Sequence, residues 1–223
     1  MKDARMFTGE ENHAITTAEA LTFIKQFREH YGPEAAPGVF FDKQAVQAIL
    51  AQPHAVGMRY YYGVDSFDQT QLVLVGTNTN RNDLLEGEPL KLSMMNPPLD
   101  ERGRYDRAAV RHGISLQEAS ELTARYQENL QPGQPKGGFF GKQAVQRLLD
   151  HPECVGLRFF YGAHKDGKRA IVGMCVDKFG AEMFYGPSVE FSMPCPPICS
   201  KSNLLNNNLA SRDRLVLEFS VKK

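Results

Sequence analysis

An excess of charge of either sign is what this 223-residue chain lacks most plainly: 26 Lys and Arg stand against 26 Asp and Glu, a formal net charge of zero. With no positive excess and no Lys/Arg run, nothing draws the chain over long range to nucleic acid or to an anionic membrane. No stretch approaches the roughly 18 to 20 continuous apolar residues of a membrane span. The opening MKDARMFTGEENHAITT has no apolar core of the kind a secretory signal carries. Cysteine is scarce, and all four residues fall from Cys154 onward, an arrangement that does not read as a disulfide scaffold. The expectation is a soluble protein, reduced and cytoplasmic. Catalytic signatures are missing as well: there is no Walker-type loop, no G-x-G-x-x-G, no G-x-S-x-G and no H-E-x-x-H. Histidines 13, 30, 54, 112, 151 and 164 show no metal spacing, and nothing calls for a cofactor.

What the chain does have is a duplication. Phe40 to Gly63, FFDKQAVQAILAQPHAVGMRYYYG, returns as Phe139 to Gly162, FFGKQAVQRLLDHPECVGLRFFYG, with a constant offset of 99 residues and identity at 14 of 24 positions. Two copies of one stretch encode one fold unit twice, so the chain divides into a first unit, 1–103, and a second, 104–223. Hydrophobic content of 42% with 23% charged residues is that of an ordinary globular protein.

The repeat reaches upstream of its best-matched window. Thr16 with Glu19, and Ser115 with Glu118, have the spacing of capping boxes that open a helix. Ala20, Leu21, Ile24, Phe27 and Tyr31 then form one apolar stripe, and Ala119, Leu122, Tyr126 and Leu130 the other. Pro/Gly-rich linkers follow, 32–38 and 131–138. A second helix is expected from Asp42 and from Gly141, stopped by Pro53 and Pro152. Next come a strand, VGMRYYYG or VGLRFFYG, and a second strand, 72–77 or 170–176, close enough for an antiparallel hairpin. A third strand is expected around 89–94 and 187–193. An alternating stretch, 214–221, resembles one more. The fold class is α+β: two tandem α-α-β-β(-β) repeats with antiparallel sheet or sheets, pseudo-twofold related, the hairpins either joining into one sheet or staying apart.

Few residues carry chemistry. Arg59 and Arg158 recur mid-strand among aromatics, where an unpaired guanidinium is costly. They predict either an anion site in each copy, with Tyr62 and Tyr161 beside it, or an ion pair with a carboxylate on the covering helix. Cys195 and Cys199, in the loop Cys-Pro-Pro-Ile-Cys, are read as free thiols in a turn. Metal or dithiol chemistry is the alternative, although a zinc site usually needs four ligands. Asn96 and Asp100 stand at the matching positions of copy one. Lys43, Gln44 and Gln47 recur as Lys142, Gln143 and Gln146, either as an interface or as an ordinary solvated helix face.

The element A-x-P-x-x-V-G-x-R-x-x-Y-G at 51–63 and the C-P-P-x-C loop at 195–199 resemble a family of short bacterial proteins of unknown function. The resemblance implies the helix–strand–strand–loop order and no activity. The leading functional reading is a non-catalytic binding or interaction protein working through the groove between the copies. Its partner would be a protein or small molecule, not nucleic acid or membrane, and self-association is compatible with it. The alternative is a small-anion sensor or enzyme using Arg59 and Arg158 near the seam. A third is a metal or redox site at Cys195 and Cys199.

Overall fold

A computed structural model describes residues 6–86, 90–189 and 192–207. In chain order the elements are β1 (Ala14–Ile15), α1 (Thr17–Tyr31), β2 (Gly38–Asp42), α2 (Lys43–Leu50), β3 (Gly57–Val64), β4 (Thr70–Thr77), β5 (Asp83–Leu84) and β6 (Lys91–Leu92). After a short 3₁₀ turn follow α3 (Leu116–Glu128), β7 (Gly137–Gly141), α4 (Lys142–Leu149), β8 (Gly156–Ala163), β9 (Arg169–Val176), β10 (Ser188–Val189) and β11 (Met193–Cys195). Among the described residues all strand pairings are antiparallel and there are four α-helices, so the class is α+β.

Local chemistry sets the helix starts. Both capping boxes form: Thr16 accepts from the Glu19 N–H, Ser115 from the Glu118 N–H, and each glutamate reaches back to its cap's backbone. Asp42 caps α2 by accepting from the Ala45 N–H at 2.7 Å, whereas Gly141 opens α4 with no side-chain cap. Leu21 leaves the expected stripe and is 49% exposed.

Strand pairing departs from expectation. The segments 38–42 and 137–141, which run from the ends of the linkers to the start of the second helix and carry no expected element of their own, are strands. Each is buried at every position, so no alternation marks it. Each also pairs with the other copy. β2 lies against β8, with Phe40 opposite Arg158, while β7 lies against β3, with Phe139 opposite Arg59. The two pairings are the same pairing shifted by 99 residues. One sheet therefore runs β1-β10-β9-β8-β2 and the other β11-β7-β3-β4-β5, with β6 also on β4. The hairpins β3–β4 and β8–β9 sit in separate sheets, so of the arrangements the sequence leaves open, one joint sheet or two, the structure has two. The third strand of copy two becomes two short strands, β10 and β11, one in each sheet. The stretch 214–221 lies outside the described residues.

Glycine before each arginine follows from this exchange. A Cβ on Gly57 would strike the Phe140 carbonyl and the Phe139 ring, and one on Gly156 the Phe41 carbonyl and the Phe40 ring. Only a bare Cα lets the swapped strand approach so closely.

The sheets face one another across a shared core of Val39, Phe41, Met58, Tyr60, Leu72, Phe140, Leu157, Phe159 and Ile171, to which α2 and α4 add Val46, Ile49, Val145 and Leu148. Outside, α3 packs Ala119 and Leu122 against Tyr61, Val73 and Val75. On the other side, α1 packs Ala20 and Ile24 against Phe160, Val172 and Met174. The layers are helix, sheet, sheet, helix.

Two histidines share the exchange. His112 Nε2 accepts the Asp42 N–H and His13 Nε2 the Gly141 N–H, both at 3.0 Å. These positions are again 99 apart, and each ring serves the other copy. At His112, Nδ1 lies 2.7 Å from the Leu92 carbonyl and donates to it. Nε2 then has to stay unprotonated. Burial holds the His112 pKa below its usual value, opposed by the Leu92 bond and the Asp42 carboxylate and reinforced by the Lys91 ammonium. Tyr105 completes the surroundings by donating to Asp42. The unfolded ring takes a proton near pH 6.5 while the folded ring resists it, so the unfolded state binds more protons and stability falls as pH drops below about 6.5. Urea midpoints should therefore fall between pH 7.5 and 5.5 more steeply in the wild type than in H112N, by at most about tenfold in the folded/unfolded ratio per pH unit. Parallel pH profiles for the two proteins would refute this role.

Candidate ligand cleft between the repeats

The sequence-predicted arginines are occupied. Arg59 is fully buried, with Nε 2.9 Å from Asp83 Oδ1, Nη1 donating to the Ile198 carbonyl at 2.8 Å and Nη2 to the Arg81 carbonyl at 2.9 Å. Arg158 Nε stands 3.3 Å from Glu182 Oε1, within ion-pair range but misaligned for a hydrogen bond, which leaves that N–H unsatisfied. Its Nη1 donates to the Met95 carbonyl at 2.7 Å. Burial lowers the Arg158 pKa against the opposing pull of Glu182. Each guanidinium thus spends its donors on a carboxylate and on the Pro-Pro loop of the other copy. Of the two readings of Arg59 and Arg158, an anion site or an ion pair, the contacts are those of the ion pair, and each arginine is an internal clamp. The acids come from β5 and from the loop after β9, not from a covering helix. Asp83 and Glu182 are themselves 99 residues apart, a recurring acidic position that a search for catalytic carboxylate pairs passes over.

Cys195 and Cys199 are joined in a disulfide, which corrects their reading as free thiols and leaves no thiolate for a metal. Cys154 and Cys175 are the unpaired, buried cysteines. Among the described residues no group of three or more His, Cys, Asp or Glu is placed to hold a metal ion. Gln143 reaches Glu10 and Gln44 meets Arg107, so the shared helix face does contact neighbouring segments.

A cleft of about 380 Å³ opens where the copies meet. Its walls include Tyr31 and Leu130, and Thr70 and Arg169. Both pairs are 99 apart, so matched positions of the two copies face one cavity. Thr70 opens β4 and Arg169 opens β9. The sequence-predicted tyrosines lie beneath. Tyr62 stacks on Tyr126 at 5.1 Å and sits 6.4 Å from Tyr161. Tyr62 donates to the Ala170 carbonyl and Tyr161 to the Thr70 carbonyl, each across the seam. Burial pushes all three phenols up, Tyr126 to about 12 and Tyr62 and Tyr161 well above their usual value, so they remain neutral and serve as scaffold.

No known family model, curated protein or solved structure matches the chain. The site has to be argued from its own chemistry. Arg169 supplies most of it. Its guanidinium carbon lies 4.4 Å from the Tyr31 ring centre and between 5.7 and 5.8 Å from those of Phe27, Tyr62 and Tyr126, an aromatic surround that favours a cation. Its Nη1 is buried with no hydrogen-bond partner among the described residues. Arg125, also on the cleft wall, has Nε committed to the Val64 carbonyl at 2.7 Å. Gln134 is held by the Arg169 N–H and the Gly167 carbonyl. Sequence reasoning missed Arg169 because it sought residues shared by the copies, and this position differs.

Proposed function

We propose that this chain is a non-catalytic binding protein, a tandem pair of α+β units related by a pseudo-twofold axis, whose ligand enters the cleft between them. The observation that carries the reading is the set of matched but divergent positions around one cavity, Tyr31 with Leu130 and Thr70 with Arg169. A cavity on the line between two identical units would present each residue twice, giving two equal half-sites. Divergence at these positions turns it into a single asymmetric site, while the residues that build the strands and helices stay alike. A cavity of this size suits a small molecule. No helix among the described residues is long and apolar enough to cross a membrane. A cytoplasmic setting, and membership of the bacterial family that the strand and loop motifs resemble, belong to the same proposal.

A thermal-shift screen of metabolites of all charge classes tests it. The expected result is at least one stabilising compound whose effect disappears in Thr70→Trp, a variant that fills the cleft. Hits that survive in that variant would place binding elsewhere. Turnover of a hit, followed by NMR, would overturn the non-catalytic part.

A further inference from the structure

We infer that the cleft takes a small organic monocarboxylate, with the carboxylate gripped by Arg169; this rests on the cleft being the binding site. The first argument is an unmet demand. A guanidinium carries five N–H donors and no acceptor, Arg169 is half-buried, and its Nη1 is a buried donor without a partner, which is costly. Arg59 and Arg158 each have a carboxylate, but Arg169 has aromatic rings and no ion pair with a described residue. Rings stabilise the cation through their faces but accept no in-plane hydrogen bond from its edge. A planar acceptor pair supplies what is missing, and a carboxylate matches that fork.

The second argument concerns the charge of the guest. Arg169 and Arg125 on the cleft wall are balanced by Asp68 and Glu128. Arg125 keeps its charge although its Nε is held at Val64, so the lining is neutral overall, and Arg169 is the guanidinium with a buried N–H left to donate. A guest with one negative charge meets less repulsion from the two carboxylates than a phosphate dianion, which brings a second. The third argument concerns the body of the guest. The hydroxyl of Thr70 and the amide of Gln131 line the same space, so a guest bearing hydroxyl or amide groups finds partners that a bare hydrocarbon does not. Because Thr70 stands where a symmetric pair would put a second arginine, the site holds one carboxylate rather than two.

The test follows the arginine side-chain Nε–Hε NMR signals of the full chain during titration with lactate, benzoate or acetate, against chloride and inorganic phosphate at equal ionic strength. The expected result is a saturable shift at Arg169 with carboxylates, reaching half-saturation in the millimolar range for such small probes. Phosphate should bind more weakly. R169Q should weaken carboxylate binding at least about tenfold, as expected for a lost charge-assisted pair. R169K, which keeps the charge and loses the fork, should recover part of it, and its unfolding midpoint checks that the fold persists. The inference is overturned if Arg169 responds to carboxylates no more than to chloride, if phosphate binds better, or if R169Q binds as tightly as the wild type. Should the metabolite screen instead yield a neutral or cationic compound that Thr70→Trp abolishes, the cleft remains the binding site and only its carboxylate specificity falls.

Discussion

Expressed alone, residues 1–103 are expected to give no folded monomer. In that fragment β2 has lost β8 and β3 has lost β7, five paired positions at each junction. The inner core is also divided, since Val39 and Phe41 pack with Leu157 and Phe159, and Met58 and Tyr60 with Phe140. Burying each such large side chain contributes roughly 1.5–3 kcal/mol, and a domain's net stability is only about 5–15 kcal/mol. Removing a face of the core and two strand junctions therefore exceeds what a monomer can lose. The same physics allows a second outcome. Because each junction is its counterpart shifted by one repeat, two fragments can supply one another's missing strands, as in domain swapping. Sedimentation with circular dichroism should thus show either an unfolded monomer or a folded dimer that loses structure on dilution. An equimolar mixture of 1–103 and 104–223 should regain a cooperative urea transition. A folded monomer of 1–103 that persists on dilution would overturn this account.

How much of this was legible in the sequence differs by element. Helix starts were, because a capping box is written within four residues and its chemistry is local; Thr16 with Glu19 and Ser115 with Glu118 behave as their spacing predicts. The hairpins were too, since short turns join their strands. Gly38–Asp42 and Gly137–Gly141 were not. Their partners lie far away along the chain, and burial on both faces erases the alternation that would have marked them. The constant offset relates further positions that are less conspicuous in the sequence. His13 with His112, and Asp83 with Glu182, stand 99 apart, and all four turn out to bridge elements of the exchange or hold its arginines. The cleft was hidden for the opposite reason: comparing copies selects what both need to fold, whereas Thr70 and Arg169 differ.

Arg59→Ala should be among the most damaging single substitutions in the chain, and Arg158→Ala, at the matching position, markedly milder. Arg59 and Asp83 are both fully buried and meet at 2.9 Å. Asp83 Oδ2 accepts further bonds from the Tyr61 hydroxyl at 2.6 Å and from Asn203 Nδ2 at 2.9 Å, and the Asp83 N–H donates to Ser200 Oγ. Deleting the guanidinium leaves a buried carboxylate without its counter-charge and frees the Ile198 and Arg81 carbonyls; breaking a buried pair in this way costs about 3–5 kcal/mol. At the usual urea slope that corresponds to a midpoint lower by roughly 1–3 M. Glu182, by contrast, is 28% exposed and its contact with Arg158 is longer and misaligned, so water can take over much of the carboxylate's solvation when the arginine goes. Arg59→Met with Asp83→Leu should cost less than the sum of its parts, because each single change strands a charge that the double change removes. Equal losses at Arg59 and Arg158, or simple additivity in the Arg59–Asp83 cycle, would show that the position in the repeated strand, and not the buried pair, determines the effect.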